Sequence, residues 1–342
     1  MARGKIHIFV TGATGYIGGS VIQELLNHPK ADQFEITAYV RNEDRANKLN
    51  GLGLKTALGS LDDTEKLAEL ASQADIVINM ADADHYKGNM AILEGLKKKH
   101  EKTGKVPILI HTSGTGVLTD DAAGEKEMDT IYYDNNPEQI ESLPDTQIHR
   151  DTDLKVVEAD KQGYARTYII LPGTIYGIAT GKLFDLGISN PHSVQVPWLV
   201  KASLARGQAG VVGEGKNLWP NVDIRDVAQL YITVFNRVLE NPDATPHGRE
   251  GFFFAVNGEH RLIDVSKEIG KAVYELGKSK TPEVTTFTDE ENQKFFGGTY
   301  LGTNSRARAE NSKSIGWKPT RTTKDFLASI KPEVEALAAK QQ

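Results

Sequence analysis

Cysteine is absent from this chain of 342 residues. That excludes disulfides, thiolate metal sites and cysteine nucleophiles, and it suits a reducing compartment such as the cytosol. An excess of positive charge is also missing: 40 Lys and Arg stand against 46 Asp and Glu, a formal net charge of −6. A general nucleic-acid binder needs a basic surface to displace counterions, so no nucleic acid is expected as a partner. No apolar run is long enough to span a bilayer, so no membrane partner is expected either. The opening Met1-Ala2-Arg3-Gly4-Lys5 passes straight into strand-like sequence and leaves no room for the apolar core of a signal peptide. A cytoplasmic protein is the expectation. Internal repeats and low-complexity segments are missing as well.

What is present is a core: 39% of the residues are hydrophobic. Short apolar runs alternate with helix-like stretches through the first half. The runs are Ile6–Val10, Ile36–Val40, Lys55–Leu58, Asp75–Asn79, Ile108–His111 and Arg166–Leu171, with a late one at Phe252–Val256. Helical stretches include Val21–Leu26, Glu65–Ala71, Asn89–Lys99, residues 223–239 and Thr322–Lys340. Continuous apolar strands alternating with helices predict an α/β fold, a Rossmann-type, doubly wound parallel sheet covered on both faces. Residues 178–221 are rich in Gly, Pro, Ser and Asn with little periodicity, and they read as an irregular insertion that still has Leu, Val and Trp to bury. The expected division is a dinucleotide-binding domain of residues 1–180 and 222–258, and a smaller, irregular, largely C-terminal substrate-binding lobe of residues 181–221 and 259–342. The acidic stretch from Asp120 to His149 reads as a long, partly exposed, mobile loop.

The most telling segment follows the first strand: Val10-Thr11-Gly12-Ala13-Thr14-Gly15-Tyr16-Ile17-Gly18-Gly19. Strand, glycine turn and helix in that order are the context in which such a motif binds a dinucleotide. Gly12 permits the tight turn, Gly15 clears room for the pyrophosphate, and Gly18 lets helix and strand pack closely. The helix start offers free N–H groups and a partial positive charge to phosphate.

Four segments, in the right order, carry a family resemblance. Thr11–Gly18 resembles the glycine motif of the extended short-chain dehydrogenases/reductases, the group of nucleotide-sugar epimerases, dehydratases and related reductases. Pro172-Gly173-Thr174-Ile175-Tyr176-Gly177 resembles the family's segment along the nicotinamide. Asn221-Val222-Asp223-Ile224-Arg225-Asp226-Val227-Ala228 resembles its later sheet-to-helix motif, and Ser314-Ile315-Gly316-Trp317-Lys318-Pro319 its C-terminal signature. The resemblance implies cofactor contacts from Gly12, Thr14, Gly15, Tyr16, Ile17, Ser60, Leu61, Ala81, Pro172, Thr174 and Ile175. It also implies a monomer or homodimer with a small-molecule substrate.

The second strand ends Tyr39-Val40-Arg41-Asn42. An NAD site places a carboxylate there for the ribose diol, whereas an NADP site places a guanidinium for the 2′-phosphate. Arg41 occupies the position, so NADP is the expected cofactor and NAD the less favoured one.

The family's Tyr-x-x-x-Lys pair is missing. Its tyrosine position falls at or near His149 and its lysine position near Asp153. A Tyr-x-x-x-Lys spacing at Tyr274 and Lys278 lies in the C-terminal portion and reads as coincidence. Candidate proton donors are therefore His149, Tyr133 and His85. Ser113, in His111-Thr112-Ser113-Gly114-Thr115-Gly116, can hydrogen-bond a substrate oxygen or can satisfy nearby backbone. Asp84 and His85 can do acid–base work or cap the following helix. No spacing supports a metal site.

The irregular segment carries His192, Ser193, Gln195, Trp198 and Trp219 but few basic residues, which suits a small organic ligand better than a diphosphate. The leading expectation is an NADP(H)-dependent oxidoreductase of atypical extended type, acting on a carbonyl, alcohol or activated double bond of a small metabolite. A non-redox isomerase, epimerase or cyclase that retains its cofactor, and a non-catalytic NADP-sensing regulatory protein, are the alternatives.

Overall fold

The computed structural model describes residues 4–341. Seven parallel strands form the central sheet: β1 (Ile6–Thr11), β2 (Phe34–Val40), β3 (Lys55–Leu58), β4 (Ile76–Asn79), β5 (Ile108–Thr112), β6 (Arg166–Pro172) and β7 (Phe252–Ala255). Their spatial order is β7-β6-β5-β4-β1-β2-β3, and every pairing is parallel. The chain leaves β1 in one direction and returns on its other side at β4, so the order reverses between them. That is where an open α/β sheet binds its ligand, beyond the carboxyl ends of the strands.

The longer helices are α1 (Tyr16–Leu26), α2 (Glu43–Gly51), α3 (Thr64–Ser72), α4 (Tyr86–Thr103), α5 (Arg150–Lys161), α6 (Gln195–Arg206), α7 (Ile224–Glu240), α8 (Leu262–Glu275) and α9 (Thr323–Ala339). Helix α1 packs with α7, and α4 packs with both α3 and α5. The apolar residues of β1, β4, β5, β6 and β7 lie within one core cluster with the helices' inner faces. A second cluster gathers residues from α6, α8, α9 and the chain around Phe287 and Phe296.

Three segments depart from the expectations. Within residues 178–221, α6 is a regular helix. Pro197 sits in its first turn, where a missing N–H costs nothing, and Val196, Leu199, Val200 and Ser203 form its buried stripe. Gly207, at φ +75°, ends it in the left-handed conformation. The acidic stretch 120–149 is tied down rather than loose. Asp120 accepts from the Asn304 backbone N–H at 2.8 Å, and Tyr132–Tyr133 pairs with Ala307–Arg308 as a short parallel ribbon. The segment around residues 307–317, expected in the lobe, joins the core of the central sheet through Ala307, Ala309, Ile315 and Trp317. No described helix is long and apolar enough to cross a membrane.

Candidate active site

The glycine turn between β1 and α1 is shaped by backbone contact. Gly12 has φ +76°, and a Cβ there would lie 2.2 Å from the Met80 carbonyl oxygen. A Cβ on Gly18 would lie 1.9 Å from the Gly12 carbonyl oxygen. Neither position can hold a larger residue without separating strand from helix. Gly15 is the N-cap of α1; no side chain caps the helix, and its first turn has no acid. The opening N–H groups therefore lack a side-chain acceptor and face a cleft, as a phosphate cradle requires. The cradle fits a dinucleotide.

The cleft has two halves that meet at Gly15 and Met80. The outer half, about 510 Å³, is lined by Gly12, Thr14, Arg41, Ser60, Leu61 and Ala81 among others. Arg41 is exposed at the end of β2 and forms part of this wall. Tyr39 closes the floor: its hydroxyl donates to the Ser60 carbonyl at 2.8 Å, and burial pushes its pKa up to about 12. The acids nearby are engaged. Asp62 pairs with His85 at 3.0 Å, and Asp82 accepts from the Asp84 backbone N–H at 2.8 Å.

The inner half, about 310 Å³, is lined by Tyr16, Ile17, Ser113 to Gly116, His149, Pro172, Ile175, Trp219 and Tyr300 among others. His149 immediately precedes α5 with φ +67°; it and Ala123 are the non-glycine residues in left-handed backbone among those described. Such a conformation is uncommon outside glycine and concentrates at functional sites. It turns the imidazole toward the glycine-rich strand end: Nε2 would lie 3.3 Å from a Cβ on Gly114 and 3.6 Å from one on Gly116. The other ring nitrogen, Nδ1, is 2.7 Å from Asp84 Oδ1. A carboxylate at one nitrogen fixes the orientation of the ring and leaves the other nitrogen turned to the cleft.

Beneath the cleft lies a buried polar group. Ser113 Oγ donates to Asp153 Oδ2 at 2.8 Å. Burial raises the Asp153 pKa to about 7, against the lowering effect of the Ser113 hydrogen bond and of Arg150. His111 Nε2 is 3.9 Å from Asp153 Oδ1, too far for a hydrogen bond, and both atoms are buried without a partner. Burial lowers the His111 pKa to about 3, which keeps the ring neutral. When Asp153 is charged, Ser113 gives its proton to it and presents lone pairs to the cleft. When Asp153 is protonated, it can donate to Ser113, whose own proton then points outward.

Of the twelve cofactor candidates, only Thr174 does not line the cleft. Its Oγ1 donates to Gln195 Oε1 at 2.5 Å, which turns it into a chamber behind the cleft. Tyr16 lines the inner half, but its hydroxyl donates to the Gly177 carbonyl. Burial raises its pKa well above the ordinary value, with Asp223 adding to the effect. Among the proton-transfer candidates, Ser113 and His149 meet in the inner half. The structure does not bring His85 there. Its Nδ1 caps α4 by accepting from the Gly88 N–H at 3.1 Å, and its ring faces the outer half. Nor does it bring in Tyr133, which is exposed on the ribbon with residues 307–308. Asp84, an acid–base or capping candidate in the sequence, pairs with His149 across 65 residues, a partnership that the sequence does not reveal. Tyr300, from the C-terminal lobe, carries no sequence signal. A Cβ on Gly116 would lie 2.6 Å from its hydroxyl, and burial with the nearby Asp84 charge pushes its pKa up to about 12.

Comparison with known proteins agrees with this geometry. Residues 12–150 match a family model described as NAD(P)H-binding. Oxidase ucsJ from Acremonium sp is 28% identical over 351 aligned residues, spanning 96% of this chain and 98% of the relative. A 4-hydroxy-2-methyl-3-oxo-4-farnesyl-3,4-dihydroquinoline-1-oxide ketoreductase from Stigmatella aurantiaca is 28% identical over 120 residues, 33% of this chain and 34% of that one. Among solved structures, UDP-glucose 4-epimerase from Thermotoga maritima superposes with a TM-score of 0.66 at 16% identity, covering 98% of this chain and 100% of that one. dTDP-glucose 4,6-dehydratase from Bacillus anthracis, in complex with NAD, superposes with a TM-score of 0.64 at 17% identity and 96% coverage of each. Residues 12–150 thus resemble an NAD(P)H-binding family, and the chain shares the fold of these epimerase and dehydratase structures.

Proposed function

We propose that the protein is an NADP(H)-dependent oxidoreductase that acts on a carbonyl, alcohol or activated double bond of a small metabolite, with His149 as the proton-exchanging residue. The observation that carries this reading is the His149 ring, held by Asp84 at 2.7 Å and turned toward the inner cleft beside Ser113. The names of the two relatives, an oxidase and a ketoreductase, agree with redox chemistry.

When bound, the nicotinamide supplies or accepts the hydride at C4. The chain's own residues do the rest. The uncapped start of α1 would hold the pyrophosphate. Arg41, on the wall of the outer half, would hold a 2′-phosphate with its planar fork. In the reducing direction His149 delivers a proton from Nε2 to the substrate oxygen, and Asp84 stabilises the imidazolium before transfer. Oxidation runs the same transfer backward, with the neutral ring taking the proton. Tyr300, whose raised pKa keeps its hydroxyl protonated, is a hydrogen-bond donor rather than a base. The test is NADPH consumption over a broad panel of aldehydes, ketones and enones, with NADH in parallel. Turnover with NADPH that collapses in His149→Gln supports the assignment. Absence of NADPH oxidation across the panel, or full activity in the variant, defeats it.

A further inference from the structure

We infer that an apolar chamber behind the inner cleft receives an uncharged arm of the substrate ending in a hydrogen-bond donor, which makes the substrate a neutral, largely apolar molecule and not a nucleoside diphosphate; this rests on the inner cleft being the substrate site.

The chamber adjoins the cleft at Gln195 and Trp219, which line both. Its far walls are Val196, Leu199, Val265 and Leu301, contributed by the lobe. The free space is about 30 Å³, room for roughly two water-sized groups and hence for the end of a chain rather than a ring system.

Two polar residues mark it. Asn217 is 1% exposed. Its Nδ2 donates to the Leu301 carbonyl at 2.9 Å and the Thr303 carbonyl at 2.7 Å. Two carbonyl acceptors fix which end of the amide is nitrogen. The opposite end, Oδ1, is buried with no partner. A buried acceptor left unmet is destabilising, and each such group in a folded protein calls for an explanation. A ligand hydroxyl or amide N–H supplies the missing donor. The second is His260, whose Nδ1 is 3.1 Å from Asn221 Nδ2. Burial lowers its pKa to about 3, so the ring faces the arm uncharged.

Charge argues the same way. No Lys, Arg, Asp or Glu lines either the chamber or the inner cleft. Guanidinium and ammonium groups are the strong partners of a diphosphate, and neither space offers one. An apolar arm requires none, and the walls supply the apolar surface that drives its transfer from water.

The test uses three probes on the full chain, by calorimetry with and without saturating NADP⁺: 4-propylcyclohexanone, 4-(3-hydroxypropyl)cyclohexanone and UDP-glucose. The hydroxylated ketone is expected to bind about tenfold more tightly than its partner, the discrimination of one buried hydrogen bond. Val265→Phe and Val196→Phe each fill the chamber and are expected to erase that difference while NADP⁺ affinity stays within about twofold. Two variants guard against one failing to fold, and a melting curve identifies any that does. The inference is overturned by equal binding of the two ketones, by no binding of either, by variants that leave the difference intact, or by UDP-glucose binding more tightly than both. Loss of NADP⁺ binding with ketone discrimination retained counts against the oxidoreductase reading alone.

Discussion

At the scale of single residues, the proposed mechanism rests on the imidazole of His149, with a buried carboxyl, Asp153, beneath it. His149→Gln keeps polarity and removes proton exchange. General acid–base catalysis contributes about 10²- to 10⁴-fold, so kcat is expected to fall within that range while the NADPH dissociation constant is unchanged. Asp84→Asn keeps the ring's neighbour but removes its charge, and a smaller loss in kcat is expected. A kcat unmoved by Asp84→Asn would remove Asp84 from the mechanism. Asp153 gives a separate, thermodynamic signature. Its carboxyl is raised from 3.8 to about 7 by burial, so the folded state holds the proton more tightly than the unfolded one. Its stabilising contribution is complete below the unfolded value and is lost as pH rises through the interval up to about 7. Asparagine has no charge to bury. The melting temperature of Asp153→Asn relative to the parent is therefore expected to climb between about pH 4 and about pH 8, and to level off above. His111 titrates in both proteins and cancels. A constant difference across that range would show that Asp153 is not the group that titrates.

At the scale of elements, the proposed preference for NADP rests on a strand end. Arg41 stands where β2 gives way to α2, and Asn42 caps that helix through the Arg45 N–H at 2.9 Å, so the position of Arg41 is set by a cap on rigid scaffold. Arg41→Asp is expected to weaken NADPH binding about 10- to 100-fold, the worth of a charge-assisted hydrogen bond or two, and to strengthen NADH binding. Unchanged preference in a direct titration would assign the 2′-phosphate to another residue. The same scale shows what the sequence made legible. Buried parallel strands read as continuous apolar runs because both faces are covered, and the glycine turn reads because backbone contact with Met80 forbids a side chain at Gly12. Helix α6 was harder to read because proline, serine and glycine around it carry loop statistics, although its buried positions keep helical spacing. His149 and Asp84 could be read as separate candidates, but their pairing and the presence of Tyr300 could not, since long-range packing alone joins them.

At the scale of the whole molecule, side chains fasten the lobe and the long connection to the sheet. Trp317 Nε1 donates to the Asp226 carbonyl at 2.8 Å, and Asp226 Oδ2 accepts from the Arg321 N–H at 3.0 Å. Two segments recognised separately as family motifs are thus one packed joint. Asp134 performs the equivalent task for the connection that ends at His149. Its Oδ1 accepts from the Asn311 N–H at 2.6 Å, and its Oδ2 from the Phe254 N–H at 3.0 Å and the Ser312 N–H at 3.2 Å. One carboxylate therefore joins the connection, the edge strand β7 and the C-terminal segment. Burial lifts its pKa to about 6 even against these hydrogen bonds, a sign of how dry the joint is. Asp134→Ala leaves three backbone donors without acceptors at about 1–3 kcal/mol each when fully buried, so a destabilisation of about 3 kcal/mol or more is expected, read as a lower urea midpoint with an unchanged slope. Because the connection delivers His149 while Arg41 and the glycine cradle sit on the sheet, the residual folded protein should lose kcat yet keep its NADPH affinity. Protease cleavage within residues 120–149 should quicken in parallel. Equal midpoints for the variant and the parent would mean that water replaces the carboxylate at all three donors, and that the connection owes its order to the ribbon with residues 307–308 instead.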